Sequence, residues 1–103
     1  MINGTDGMLG MLVLAVHDLW TMLRTADVAA AVSVEALLGS DRPFAADLMA
    51  LRPHPGQAAS AANLRAVLAS SGVMASHRTP DCPRVQDAYS LRCSPQVLSL
   101  IHI

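Results

Sequence analysis

The sequence predicts an all-α fold, a set of helices belonging to a larger bundle. Three observations predict it. Cap and stop residues punctuate the chain at Thr5 or Asp6, Thr25, Gly39 and Gly72. Apolar residues between them recur at helical spacing, and no stretch alternates convincingly as a strand does. The best strand candidate, "SGVMAS" at 71–76, is short.

The elements follow in order. Thr5 or Asp6 caps a first helix that runs to about Arg24. Thr25 caps a second, Ala26 to Leu38, with Gly39 as its stop. The two also read as one interrupted helix, because Thr25 alone is weak punctuation. Asp41-Arg42-Pro43 forms a turn, and Phe44 to Leu51 a short amphipathic helix. In "RPHPGQ" (52–57), Pro53 and Pro55 keep the backbone extended. A third main helix runs from about Gln57 to Ser70, with Ala61, Leu64 and Leu68 on one face and Gly72 ending it. "SHRTPDCPR" (76–84) is an exposed loop, and no internal repeat is present.

Composition bounds what such a chain does. It has 103 residues, enough for one small domain, and a formal net charge of -1. That balance leaves no electrostatic footprint for nucleic acid or an anionic membrane. The longest apolar run, Met8 to Val16, is far short of the roughly 20 residues of a spanning helix, and the N-terminus lacks the positive charge of a signal peptide. Cys82 and Cys93 form no secreted-type framework, so a reduced, cytoplasmic state is expected, with a disulfide between them still open. No cysteine or histidine spacing suggests a metal.

Hydrophobic residues make up 52% of the chain, with one Phe, one Trp and one Tyr. Small aliphatic side chains must therefore be buried by close helix packing. From Met8 to Leu23 they run almost all round a helix, the pattern of a helix in the middle of a large protein. A domain this small has little material to enclose one. The chain is expected to be a piece of something larger.

Gln86, Tyr89 and Arg92 bring an amide, a phenol and a guanidinium into a register of three. A guanidinium forks onto a carboxylate, and a phenol can hydrogen-bond a reacting group or exchange its proton. Spacing alone fits a capped, solvated helix start equally well. Asn3, in "INGT", has an amide able to face developing negative charge, but alone it is an ordinary turn residue. His54 between two prolines has no partner nearby and reads as a structural loop residue. Glu35 is expected to reach solvent or pair with Arg42, and "ASSG" (69–72) to be a serine-rich helix end.

Four ordered motifs, "INGTDGML" (2–9), "SVEALLGSDRPF" (33–44), "RPHPGQAASAANLR" (52–65) and "RVQDAYSLRCSPQV" (84–97), resemble the histidine ammonia-lyase branch of the aromatic amino acid lyases. The resemblance spans nearly the whole chain. Phenylalanine and tyrosine ammonia-lyases share the superfamily pattern, but "VQDAYSLRC" with "PQV" is most similar to the histidine branch. It implies a helical-bundle homotetramer in the cytoplasm, with active sites shared between subunits. It also implies a methylidene-imidazolone prosthetic group formed from an internal Ala-Ser-Gly. The activity implied is non-oxidative elimination of ammonia from a small amino acid, L-histidine giving urocanate. Carried over by residue, Tyr89 resembles the catalytic tyrosine and Arg92 the arginine that binds the substrate carboxylate. Gln86 resembles the active-site glutamine, and Asn3 the asparagine beside the electrophile.

The departures are specific. The chain has no Ala-Ser-Gly, and Ser70-Ser71-Gly72 stands in the wrong context. The family's base-bearing tyrosine loop is also absent, and Asp6 replaces a glutamine common after "INGT". After "PQV" the family pattern gives way to "LSLIHI". Residues 1–97 are therefore expected to be an internal lyase fragment, inactive alone, and 98–103 a non-native tail. Two function classes follow: an enzyme segment that is catalytic only in its parent, or a non-catalytic helical interaction module using Met8 to Leu23.

Overall fold

A computed structural model describes residues 4–99, and every regular element in that range is helical. Helix α1 spans Thr5–Ala36 without interruption. The expected break at Thr25 does not occur, because its hydroxyl turns back and donates to the Thr21 carbonyl at 2.8 Å. Thr21 and Ser33 bond the preceding turn in the same way. A hydroxyl satisfied at i−4 leaves the backbone ladder intact. At this length, and with a mean hydropathy of 1.2 in its most apolar window, α1 exceeds the span expected from the Met8–Val16 run and could cross a membrane by length and composition alone.

Only the C-terminal part of α1 has a partner among the described residues. Its buried residues are Leu23, Asp27, Ala31 and Val34, spaced four, four and three apart on one stripe. From Thr5 to Met22 every residue is exposed, including Met8, Leu12 and Trp20. The helix projects from the body, so the described structure is 70 Å long with a radius of gyration of 17.7 Å. A compact chain of 100 residues has about 13 Å.

The end of α1 places the turn on which the candidate site rests. Leu38 adopts the left-handed conformation, φ 53°. Its N–H bonds the Glu35 carbonyl at 3.0 Å, and the N–H of Gly39 bonds that of Val34 at 2.7 Å. This is the paired closure of a Schellman end, with leucine where glycine is usual. Gly39 serves the next position for a different reason. It is buried, and a Cβ there would stand 3.1 Å from Val34.

A 3₁₀ turn, Arg42–Phe44, then leads to α2, Ala46–Leu51. The expected single helix from Phe44 is divided because Ala45 is extended. Helix α3, Pro55–Leu68, begins at Pro55, which was expected to stay extended. At the first helical position proline loses no hydrogen bond, and the His54 side chain accepts from the Gln57 N–H at 3.4 Å. Helix α3 is central: α1, α2 and the C-terminal helix all pack on it. The core joins Ala31 and Val34 of α1 to Phe44, Met49, Ala61, Leu64, Leu68 and Met74. The face expected from Ala61, Leu64 and Leu68 is the buried one.

"SGVMAS", the strand candidate, is the N-cap and first five residues of α4, Gly72–His77. Ser71 is its N-cap, accepting from the Met74 N–H at 3.0 Å and donating to Glu35. Gly72 therefore starts a helix, and Glu35 pairs with Ser71 while Arg42 pairs with Asp47. After an irregular segment come α5, Tyr89–Arg92, and α6, Ser94–Ser99. The expected boundary between 97 and 98 falls inside α6, where Leu98 is half-buried and Ser99 buried. Residues 100–103 lie outside the described range.

Candidate active site

The segment from Arg84 to Arg92 changes from irregular backbone to helix at Tyr89. Gln86 lies before that change, so only Tyr89 and Arg92 share a helical turn. Tyr89 opens α5 and is 69% exposed. Arg92 closes it, half-buried, with its guanidinium carbon 5.4 Å from the centroid of the Tyr89 ring. Its Nε is buried and has no hydrogen-bond partner among the described residues.

Gln86 and Arg92 line one cleft of about 600 Å³, together with Arg42, Arg52, Cys93 and Gln96. Arg42 is held by Asp47 and the Asp87 carboxylate also borders the cleft, but Arg52, Arg92, Gln57, Gln86 and Gln96 give it donors. Another cleft, of about 410 Å³ around Met49, His54 and Arg65, is apolar. Its arginine is already engaged, donating to the Phe44 carbonyl at 2.5 Å. His54 serves α3 as its cap. Chemistry favours the first cleft.

Asn3 lies outside the described residues. Its neighbour Gly4 caps the far end of α1, about 45 Å along the helix axis from Val34 at 1.5 Å per residue. α5 packs beside the Val34 end. Within one chain Arg92 meets Gln86 at the cleft and Tyr89 through its ring, but Tyr89 does not line the cleft, and Gly4 is remote from all three.

Two carboxylates went unnoticed in the sequence. Asp27, buried between α1 and α3, accepts from Ser60 Oγ at 2.7 Å and Asn63 Nδ2 at 2.6 Å. Its place among apolar residues in "ADVAAAV" (26–32) was the available signal. Asp87, beside Gln86, is also buried and accepts from the Ser40 N–H at 2.5 Å. Nothing local distinguishes it. Both cysteines are free, and no group of metal-ligating side chains occurs among the described residues.

The prosthetic group that the motifs imply has no precursor here. Ser71, in the nearest sequence to Ala-Ser-Gly, has its hydroxyl committed to capping α4 and to Glu35. The residues of this chain do not supply such a group.

Comparison with known proteins adds relationship to geometry. The family model described as "Aromatic amino acid lyase" matches residues 1–102. A histidine ammonia-lyase of Streptomyces coelicolor is 63% identical over 94% of this chain and 19% of its own length. That of Sorangium cellulosum is 59% identical over 94% of this chain and 18% of its own. That of Deinococcus radiodurans is 56% identical, with 94% and 18% covered. The chain thus spans about a fifth of the length of these relatives. No solved structure matches it.

Proposed function

The chain belongs to the aromatic amino acid lyase family, and from that premise we propose that it is a segment of a histidine ammonia-lyase, one wall of an active site completed by other parts of the protein. The parent reaction is the non-oxidative elimination of ammonia from L-histidine to give urocanate. The observation that carries the reading is Arg92, which shares a helical turn and a ring contact with Tyr89 and lines one cleft with Gln86.

Each residue has a role its chemistry permits. Arg92, which lines the cleft, binds the substrate carboxylate through its guanidinium, a planar fork of donors. The Tyr89 hydroxyl, exposed beside Arg92, holds or moves a proton near the reacting carbon. Gln86 hydrogen-bonds and orients the substrate, and Asn3, by its motif, stabilises negative charge. The methylidene-imidazolone group, when present, supplies an electrophile for the substrate amine. It comes from an Ala-Ser-Gly outside this chain.

A shared site in a homotetramer accommodates two features at once. Another copy can bring the Gly4 end of α1 to the wall that its own chain leaves remote. Helices of the assembled enzyme can also cover the exposed apolar surface from Met8 to Trp20. Charged residues in the middle of a helix cost about 2.5–3.5 kcal/mol each at a bilayer centre. With Asp18, Arg24 and the buried Asp27 along it, α1 fits a protein interior better than lipid, and the proposed location is the cytoplasm.

The test is the specificity constant of the full-length protein for three amino acids. It is expected to be highest for L-histidine. Higher kcat/KM on L-phenylalanine or L-tyrosine would move the assignment to the other branches.

A further inference from the structure

We propose that Asp87 is a positioning residue, which sets the Gln86–Arg92 wall by tethering it to the Gly39–Ser40 turn at the end of α1. The inference rests on the lyase reading for its catalytic consequence, but its structural content stands alone. From Pro83 to Ser90 every residue is exposed except Asp87. Val85 is 98% exposed, while the Asp87 side chain is 2% exposed. A chain that buries one carboxylate in an otherwise solvated stretch has an anchor there, because carboxylates are almost never buried unless paired.

The partners agree with that role. The Ser40 N–H donates to Oδ2 of Asp87 at 2.5 Å, and Arg84 Nη1 lies 3.6 Å from Oδ1. The turn that receives the anchor is itself held on two further sides. The Gly39 N–H bonds the Val34 carbonyl at 2.7 Å, and the Gly39 carbonyl accepts from the His77 ring at 2.8 Å. Gly39 adjoins both ends of this arrangement: a Cβ there would stand 3.1 Å from Val34 and in ordinary contact, 3.4 Å, with Asp87 Oδ2. Residues 78–88 form no regular element; Arg78 bonds Asp41 at their start and α5 packs on α1 beyond them, and Asp87 is the tie next to Gln86 itself. Burying a charge is a poor route to stability, since desolvation offsets the attraction. What it secures is a fixed position.

The test uses the full-length enzyme carrying Asp87→Ala, Asp87→Asn or Gly39→Ala. Asp87→Ala removes the acceptor and is expected to lower kcat/KM for L-histidine about a hundredfold, the scale of a displacement of about 1 Å. Asp87→Asn keeps an oxygen for the Ser40 N–H and is expected to recover at least a tenfold share of that loss. Gly39→Ala sets a methyl 3.1 Å from Val34, so the turn carrying the Ser40 N–H must shift while residues 84–92 stay unaltered in sequence. It is expected to lower kcat/KM in the same direction, so the proposal stays testable if Asp87→Ala does not fold. Crystal structures of the variants supply a readout independent of activity, in which residues 84–92 are expected to shift relative to Gly39 and Ser40. Full activity in Asp87→Ala with only a lower Tm would overturn the proposal. So would an unmoved wall in the variant structures, even if the wild-type enzyme proved to have no lyase activity.

Discussion

The guanidinium of Arg92 lies over the ring of Tyr89, 5.4 Å from its centroid. At a partly exposed site such a contact contributes about 0.5–1 kcal/mol. Its larger effect is orientation. It holds the guanidinium against the Tyr89 ring while Arg92 also lines the cleft it shares with Gln86.

Arg92→Lys in the full-length enzyme is therefore expected to raise KM for L-histidine about tenfold, with a smaller change in kcat. A compact charge replaces a planar fork that binds in two places. Steady-state kinetics separate the two constants, and a fall in kcat alone would contradict the carboxylate role.

Tyr89→Phe is expected to lower kcat by about 10²–10⁴-fold, the range for loss of a positioned proton-transfer group. The ring remains under Arg92, so circular dichroism and Tm should match the wild type. Unchanged kcat would remove Tyr89 from the chemistry.

What the sequence makes legible depends on how far away the deciding partner lies. Gly39 and the Ala61–Leu64–Leu68 face are readable because their signals are local: a chain stop and a helical period. Thr25 misleads because the same hydroxyl that caps a helix also satisfies itself within one, and only the continuing α1 decides between them. Gly72 and Ser71 mislead similarly, since a serine–glycine pair fits the end of one helix and the start of the next. The wall is legible through its motif and not its spacing, because Gln86 is not in the helix that carries Tyr89 and Arg92. Asp27 and Asp87 escape because Ser60 and Ser40, which donate hydrogen bonds to them, lie 33 and 47 residues away in sequence.

Asp27→Ala leaves the Ser60 hydroxyl and the Asn63 amide without their acceptor between α1 and α3. The expected cost is about 2–3 kcal/mol, read as a lower Tm of the full-length protein. Asp27→Asn keeps one oxygen and is expected to cost less. Equal Tm in all three proteins would show that the buried carboxylate does not hold the helices together.

Arg42 donates to Asp47 at 3.0 and 2.7 Å, with both side chains exposed. The hydrogen bonds from Arg42 hold the Asp47 carboxyl below its ordinary value of 3.8. Because the folded-state value is the lower one, the pair's contribution is fully present above the ordinary value. It is lost as pH falls through the lowered one. Arg42→Ala is expected to raise the Asp47 titration toward the ordinary value, followed by the carboxyl carbon resonance, and added salt to weaken the pair. A midpoint unaffected by the substitution would show that the ion pair does not persist in solution.

The central claim is that this chain carries binding and proton-handling groups for a lyase site but not the electrophile that starts the reaction. The direct measurement is ultraviolet absorbance of urocanate when the purified chain of 103 residues is incubated with L-histidine, beside the full-length enzyme and a buffer control. The chain alone is expected to match the buffer while the full-length enzyme turns over, since positioned donors accelerate only a reaction whose reacting group is present. Urocanate formation by the isolated chain above the buffer rate would contradict the account.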